Sequence, residues 1–265
     1  MQSPDLSRIS DTLAEAQRTG AAVDQFGDDL TLDDAYTVQR TLLDRRRAQG
    51  ARYLGPKLGF TSRAKMAQMG VDEVIVGWLV DDMRIPAGGT LSLDGLVHPR
   101  AEPEVAFRLG RAVDFDGPDD DIVHAVDAVA PALEIIDSRY RNFTFSLPDV
   151  VADNTSACRF VIGQWQPATA TTEVANLDVV LSLDGRPAEH GSTSAILGNP
   201  WNALRELAPI ARRYGFELHR GAVILAGAAT AATSIAAAGN VKVEVQDLGS
   251  VTLYLRPGTS GAAGR

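Results

Sequence analysis

The chain has 265 residues, enough to bury a substantial core as one large domain or two small ones, with the composition of an ordinary globular protein. Its formal net charge of −9 and the lack of a basic stripe argue against a nucleic-acid partner. No apolar run approaches membrane-spanning length, no basic segment leads into an apolar block at the start, and the single Cys158 has neither a disulfide mate nor metal-ligand spacing, so a cytoplasmic protein acting on small molecules is expected.

In chain order, residues 1–52 read as a helical section. Leu6, Ile9, Leu13 and Ala16 form one apolar stripe. Thr31 with Asp34 resembles a capping box, Tyr36, Gln39, Leu42 and Leu43 follow, and Gly50 closes that helix. Arg45-Arg46-Arg47 at its end suits the helix dipole better than phosphate. From Tyr53 the character changes to short strand-like runs: Leu54–Phe60, Val105–Leu109, Leu133–Ile136, Phe160–Ile162, Val179–Leu183, Val223–Ala226, Val241–Val245 and Val251–Leu255. Gln246–Ser250 joins the last two as a hairpin turn. One interrupting helix is predicted to open at Asp119-Asp120-Asp121 and to carry Ile122, Val123, Val126 and Val129. A second is predicted with Asn199 as cap, Pro200 at its first position, a stripe of Leu204, Leu207 and Ala211, and Gly215 after its end. The tail after Arg256 reads as disordered. The pattern is a helical section on a β-rich body rather than a regular β-α-β alternation, and no GxGxxG or P-loop occurs.

Chemistry concentrates in a few places. Glu102 and Glu104 sit one residue apart in the strand-like stretch Arg100–Phe107, and a period of two puts them on one face. Adjacent ionised glutamates repel and are costly to bury. A divalent cation resolves that conflict, and hard oxygen ligands suit Mg²⁺ or Mn²⁺. An exposed edge strand, where Pro103 is tolerated, accounts for the same residues without a metal. A third acid, Glu134, interrupts an apolar run and needs a partner; a buried arginine salt bridge accounts for it without any chemistry, and Asp137 falls on the opposite face, within reach of Arg139. Lys57, inside the Gly/Pro-rich run Gly55–Ser62, reads either as an active-site cation that neutralises a carboxylate or transfers a proton, or as a solvent-facing strand residue. Asp153–Ser156 is a polar cluster or an ordinary turn, and Gly227–Ala232 a ligand-approach loop or tight packing. His98, His124, His190 and His219 are scattered and give neither zinc nor triad spacing.

These segments together resemble a known family. Lys57–Ser62 resembles K-I-G-[LF]-T-S, Gly77–Met83 resembles G-x-L-x-D-x-M, and His98–Phe107 resembles H-P-R-x-E-x-E-[IV]-A-F. Leu133–Arg139 resembles L-E-I-x-D-S-R, Ala152–Asn154 matches A-D-N, and Gly198–Pro200 and Gly221–Thr230 continue the likeness over residues 5–255. The family is the 2-hydroxypentadienoate hydratase and 4-oxalocrotonate decarboxylase group of the fumarylacetoacetate-hydrolase-like superfamily. The resemblance implies an α+β fold: a mixed β-roll with outer helices over residues 53–256, a helical N-terminal section over 1–52 and a loose tail over 257–265. It implies Mg²⁺ or Mn²⁺ held by Glu102, Glu104 and Glu134, with water and a 2-oxo acid completing the octahedron. It implies Lys57 as the catalytic cation and Leu58, Ser62, Asp81, Asp153, Asn154, Ser156, Ala228, Ala229 and Thr230 around the substrate. A homo-oligomer is implied too, with a sibling hydratase as a possible companion. The His-Glu dyad of the superfamily's C–C hydrolases has no confident counterpart, which weakens a hydrolase assignment.

Between the siblings, Ala226-Gly227-Ala228-Ala229-Thr230-Ala231-Ala232 looks like the decarboxylases' T-G-G-A-T-A-A, whereas Gly198–Ala203 looks like the hydratases' G-N-P-x-N-A. The expected activity is decarboxylation of 2-oxo-3-hexenedioate, a small 2-oxo dicarboxylic acid, to 2-hydroxypenta-2,4-dienoate in meta-cleavage catabolism of aromatic compounds. The alternatives are 2-hydroxypenta-2,4-dienoate hydratase and a non-catalytic 2-oxo-acid-binding module.

Overall fold

The computed structural model describes residues 4–27, 30–62, 66, 73–116 and 121–258. Asp119, Asp120 and residues 259–265 of the tail lie outside this set. Two helices come first: α1 (Leu6–Thr19), capped by Asp5, and α2 (Leu32–Ala48), whose Thr31 and Asp34 form the reciprocal capping box. The expected apolar stripe of α1 is buried at Ile9, Leu13 and Ala16. Arg45 and Arg46 at the end of α2 form ion pairs with Asp11 and Asp82.

Thirteen strands are described: β1 (Tyr53–Gly59), β2 (Ile75–Val80), β3 (Thr90–Ser92), β4 (Pro99–Leu109), β5 (Val126–Asp137), β6 (Ala157–Ile162), β7 (Gln166–Pro167), β8 (Asp178–Leu183), β9 (Arg186–Ser192), β10 (Val223–Ala228), β11 (Thr233–Ser234), β12 (Asn240–Val245) and β13 (Gly249–Arg256). Three more α-helices are described between them: α3 (Ile122–Ala125), α4 (Leu147–Ala152) and α5 (Pro200–Tyr214). The first sheet has the order β2-β1-β10-β4-β5-β6, with β11 on β4 and β7 on β5; the second runs β3-β13-β12-β8-β9. The expected turn between the last two strands joins β12 to β13, with Val245 opposite Gly249.

Two expectations are corrected. The helix opening near Asp121 is a single turn, α3, after which Val126 and Val129 belong to β5. Their branched side chains suit a strand buried on both faces, and such a run does not distinguish helix from strand by periodicity. The stretch with Glu102 and Glu104 is no edge strand, for β4 lies between β10 and β5. Pro103 is tolerated there because β10 bulges between Leu225 and Ala228. A strand residue directs its nitrogen and its carbonyl to one side, and the Pro103 carbonyl accepts from Ala229 N–H at 2.8 Å, so the missing N–H faces that bulge.

The first sheet curls until its end strands approach one another. The outer edge of β2 is covered by side chains rather than by a strand. Tyr36 Oη accepts from Val76 N–H at 3.2 Å, and Gln39 Nε2 donates to the carbonyls of Val76 and Val151, each at 2.9 Å. One rung further along, Asn154 makes both amide bonds with Trp78: its Oδ1 accepts from the backbone N–H at 2.7 Å and its Nδ2 donates to the carbonyl at 3.0 Å. Residues just past β2 meet β6 directly, where Ile85 N–H donates to the Phe160 carbonyl at 2.9 Å. Replacing Gln39 with Leu takes the side-chain donor from two carbonyls, of which that of Val151 still meets the Asp153 N–H. Urea unfolding of the Gln39→Leu protein should show a loss of about 2–4 kcal/mol, and no change in midpoint would contradict the stapling role.

Candidate active site

The four groups singled out by sequence converge on the inner face of this curled sheet. In the β4–β5 ladder Glu102 is directly opposite Glu134, and Glu104 is opposite Ala132 and, across β10, Ala228. Paired residues point the same way, so the three carboxylates share one face. One oxygen from each lies within 4.8 Å of the others. An octahedral ion with oxygens at about 2.1 Å needs neighbouring ligands about 3 Å apart and opposite ones about 4.2 Å apart, a span of this size. Glu102, Glu104 and Glu134 are 7 %, 1 % and 0 % exposed. Their neighbours on the same face of the ladders, Ala106, Ala130 and Ala132, carry only methyl side chains.

Lys57 enters from β1, where it is in register with Leu225 of β10 and Gly77 of β2. It is buried, with Nζ 3.0 Å from Glu134 Oε2 and donating to the Thr155 carbonyl at 3.2 Å. The Glu134 contact is an ion pair lying off a hydrogen-bond line, since Oε2 has no aligned donor. Glu134 therefore has a buried partner, as expected, but it is lysine rather than arginine. Burial pulls the Lys57 ammonium down, and the surrounding carboxylates of Glu134, Glu102 and Glu104 outweigh this and hold it above its ordinary value. Glu104 is pushed well above the usual carboxylate range by burial and by the charge of Glu134, and Glu134 is raised by burial against the opposing pull of Lys57. Glu104 Oε2 accepts from Gly227 N–H at 2.7 Å, while Glu104 Oε1 and Glu134 Oε1 have no hydrogen-bond partner. Buried, orphaned carboxylate oxygens in a close triad are costly unless a cation meets them, so this donor set fits a hard divalent ion.

The remaining predicted residues divide. Asp153, Asn154 and Ser156 line the turn that closes over Lys57. Asp153 is buried against Arg139, whose guanidinium it pairs with and whose backbone N–H it accepts at 3.0 Å; burial pushes its carboxyl up to about 6. The expected Asp137–Arg139 pairing does not form. The Asp137 carboxylate accepts from the backbone of Val97 and His98, and Arg139 reaches only the Asp137 carbonyl. Ser156 Oγ is buried and without a partner. Ala228 ends β10 opposite Glu104, and Ala229 is buried beside Pro103. Thr230, partly buried, turns its hydroxyl to the Ala231 carbonyl. Ser62 is partly buried just beyond β1, and Leu58, on the opposite face of β1 from Lys57, packs its side chain in the core. Asp81 is not brought to the site. The β1–β2 register puts it beside Arg52, five residues before Lys57 and about 15 Å back along the strand, where the two form an ion pair. Sequence reasoning missed Thr155, whose carbonyl holds Lys57; a backbone acceptor leaves no side-chain signal.

The fumarylacetoacetate (FAA) hydrolase C-terminal family model matches residues 64–255. The chain belongs to the fumarylacetoacetate hydrolase family. It is 49 % identical over 249 residues to a 4-oxalocrotonate decarboxylase of Pseudomonas sp., covering 93 % of this chain and 96 % of that protein. It is 34 % identical over 244 residues to a 2-keto-4-pentenoate hydratase of Paraburkholderia xenovorans (strain LB400), covering 91 % of each. Among solved structures, the 4-oxalocrotonate decarboxylase from Pseudomonas putida G7 complexed with magnesium and adipate superposes with a TM-score of 0.88 at 34 % identity, over 97 % of this chain and 99 % of that one.

Within this family member, the raised carboxyls give a sign to the pH dependence. Glu104 and Glu134 keep protons above the ordinary carboxylate range, so the metal-free fold binds more protons than the unfolded chain there and loses stability as pH rises through that window. Cation binding, which displaces those protons, strengthens in the same direction. The rise in Tm on adding Mg²⁺ should therefore be larger at pH 8 than at pH 6. Glu104→Gln should weaken Mg²⁺ at least ~10-fold by calorimetry. An unchanged Kd in that variant would remove Glu104 from the ligand set.

Proposed function

We propose that this chain is a Mg²⁺-dependent decarboxylase that converts 2-oxo-3-hexenedioate to 2-hydroxypenta-2,4-dienoate and CO₂. The observation that carries the reading is the convergence of three buried glutamates and one buried lysine on a single face, in a chain nearly half identical to a 4-oxalocrotonate decarboxylase. Glu102, Glu104 and Glu134 hold the ion, which supplies Lewis acidity to the carboxylate and 2-oxo group of a substrate.

The chain's own groups do the rest. Three glutamates bring −3 against the +2 of the ion, and Lys57 restores neutrality before an anionic substrate arrives. The distal carboxylate is vinylogously β to the oxo group, so the electron pair released with CO₂ runs back through the alkene to the 2-oxo oxygen. Lys57 Nζ holds a proton and a positive charge on the side where that oxygen gains charge. The methyl group of Ala228, opposite Glu104 in the ladder, gives the departing carboxylate an apolar neighbour, which favours neutral CO₂ over the anion. It offers no polar group to deliver water to the alkene, as a hydratase requires. Ser156 and Ser62 are the hydroxyl groups we assign to the substrate's polar ends.

The hydratase alternative keeps a specific support in the 34 % relatives and in Gly198–Ala203. Product analysis separates the readings. With Mg²⁺ and 2-oxo-3-hexenedioate the protein should release CO₂, and with 2-hydroxypenta-2,4-dienoate it should form no 4-hydroxy-2-oxopentanoate. The reverse pattern would assign the hydratase, and metal-dependent binding without turnover of either compound would leave a binding module. Lys57→Ala should lower kcat at least ~100-fold while binding Mg²⁺ no more weakly than the native protein. Near-native turnover in that variant would take Lys57 out of the mechanism.

A further inference from the structure

Asn154, Thr155 and Ser156 occupy an unusual stretch of backbone. All three have positive φ, at 51°, 54° and 56°. Successive non-glycine residues in the left-handed region carry strain and persist only where their surroundings hold them. The holding group is visible: the Asn154 side chain makes both of its amide bonds with Trp78 of β2, in the manner of an added strand residue. Trp78 is itself immobilised, with its ring stacked on Phe216 at 4.0 Å between centroids and covered by the Arg40 guanidinium at 4.2 Å. The other side of the turn is equally confined. A Cβ at Gly77 would stand 2.7 Å from the Asn154 carbonyl oxygen, and one at Gly59 would stand 2.8 Å from Thr155 Cγ2, so glycine at both places lets the turn settle onto β1 and β2. At the centre of this turn the Thr155 carbonyl accepts the Lys57 ammonium at 3.2 Å, on the flank of Nζ not occupied by Glu134.

We infer that Asn154 is a positioning residue for Lys57: by clamping a left-handed turn to the edge of β2, it fixes the Thr155 carbonyl that aims the ammonium into the site. Both polar ends of the Asn154 amide are taken by Trp78, so Asn154 serves the reaction through backbone geometry and not by contact with substrate. The turn also does not depend on the metal ligands for its shape, because the clamp runs to β2 whereas the glutamates stand on β4 and β5. The inference rests on the reading of Lys57 as the catalytic cation.

Asn154→Ala tests it with a split that simple loosening of the fold does not produce. kcat should fall ~10- to 100-fold, as for a sub-ångström to 1 Å misplacement of a reacting group, while KM and the Kd for Mg²⁺ stay within ~2-fold of native. Gly59→Ala, whose Cβ would press on Thr155 Cγ2 and less closely on Ile75, should give the same split, and it keeps the test alive if Asn154→Ala does not fold. In a cycle with Lys57→Arg, which keeps the positive charge but moves it, adding Asn154→Ala should cost clearly less than it does in the native background. An unchanged kcat in both single variants would overturn the inference, as would parallel losses in kcat, KM and Mg²⁺ affinity, or full additivity in the cycle. Failure of the underlying reading looks different: Lys57→Ala itself would then keep near-native turnover.

Discussion

The mutual repulsion of three buried carboxylates is the constraint on which the site depends. Glu102, Glu104 and Glu134 are held together by a ladder register that cannot slip by one residue without turning them to the other face. Two adjoining groups relieve part of the cost, the Lys57 ammonium at Glu134 and the Gly227 N–H at Glu104. Glu104 Oε1 and Glu134 Oε1 are left without a hydrogen-bond partner, and a cluster of this kind could hold a metal ion where a structural salt bridge would leave no orphaned oxygen.

A second constraint is the open edge of β2. An unpaired edge facing the interior side of a curled sheet would leave N–H and C=O groups without partners. The chain solves this with Tyr36 and Gln39 from α2 and with Asn154 from the turn before β6. The N-terminal helices are thus tied to the β-roll by specific polar bonds as well as by a shared core that includes Leu13, Leu42, Trp78 and Leu79.

Much of the site was legible from residues whose presence is otherwise costly. Glu102, Glu104, Glu134 and Lys57 stand out because a charge in an apolar strand requires a partner, and period-two geometry already places two of them together. What stayed hidden was long-range pairing. That Arg139 takes Asp153 rather than Asp137 depends on how the turn at 153–156 folds back, which residue spacing does not encode. Asp81 looked functional by its motif, yet strand register carries it to the far end of β1. The strand character of Val126 and Val129 was masked because a strand buried on both faces loses its alternation. β9 escaped notice for the opposite reason: Arg186–Ser192 is a largely exposed edge strand, and its polarity reads as loop.

The bonds that close the curled sheet span long stretches of chain: 76 residues between Trp78 and Asn154, 98 between Lys57 and Thr155, and 112 between Gln39 and Val151. Each such closure costs chain entropy before any contact rewards it, whereas the β12–β13 hairpin and the capped helices need only local ordering. The lysine's cradle therefore depends on segments far apart in the chain, and the pairing of Lys57 with Leu225, which seats β1 beside β10, joins segments further apart still. A chain cut short of Asn154 would carry Glu102, Glu104 and Glu134 in its sequence yet lack both the carbonyl that Lys57 meets and the strand β10 that joins β1 to β4.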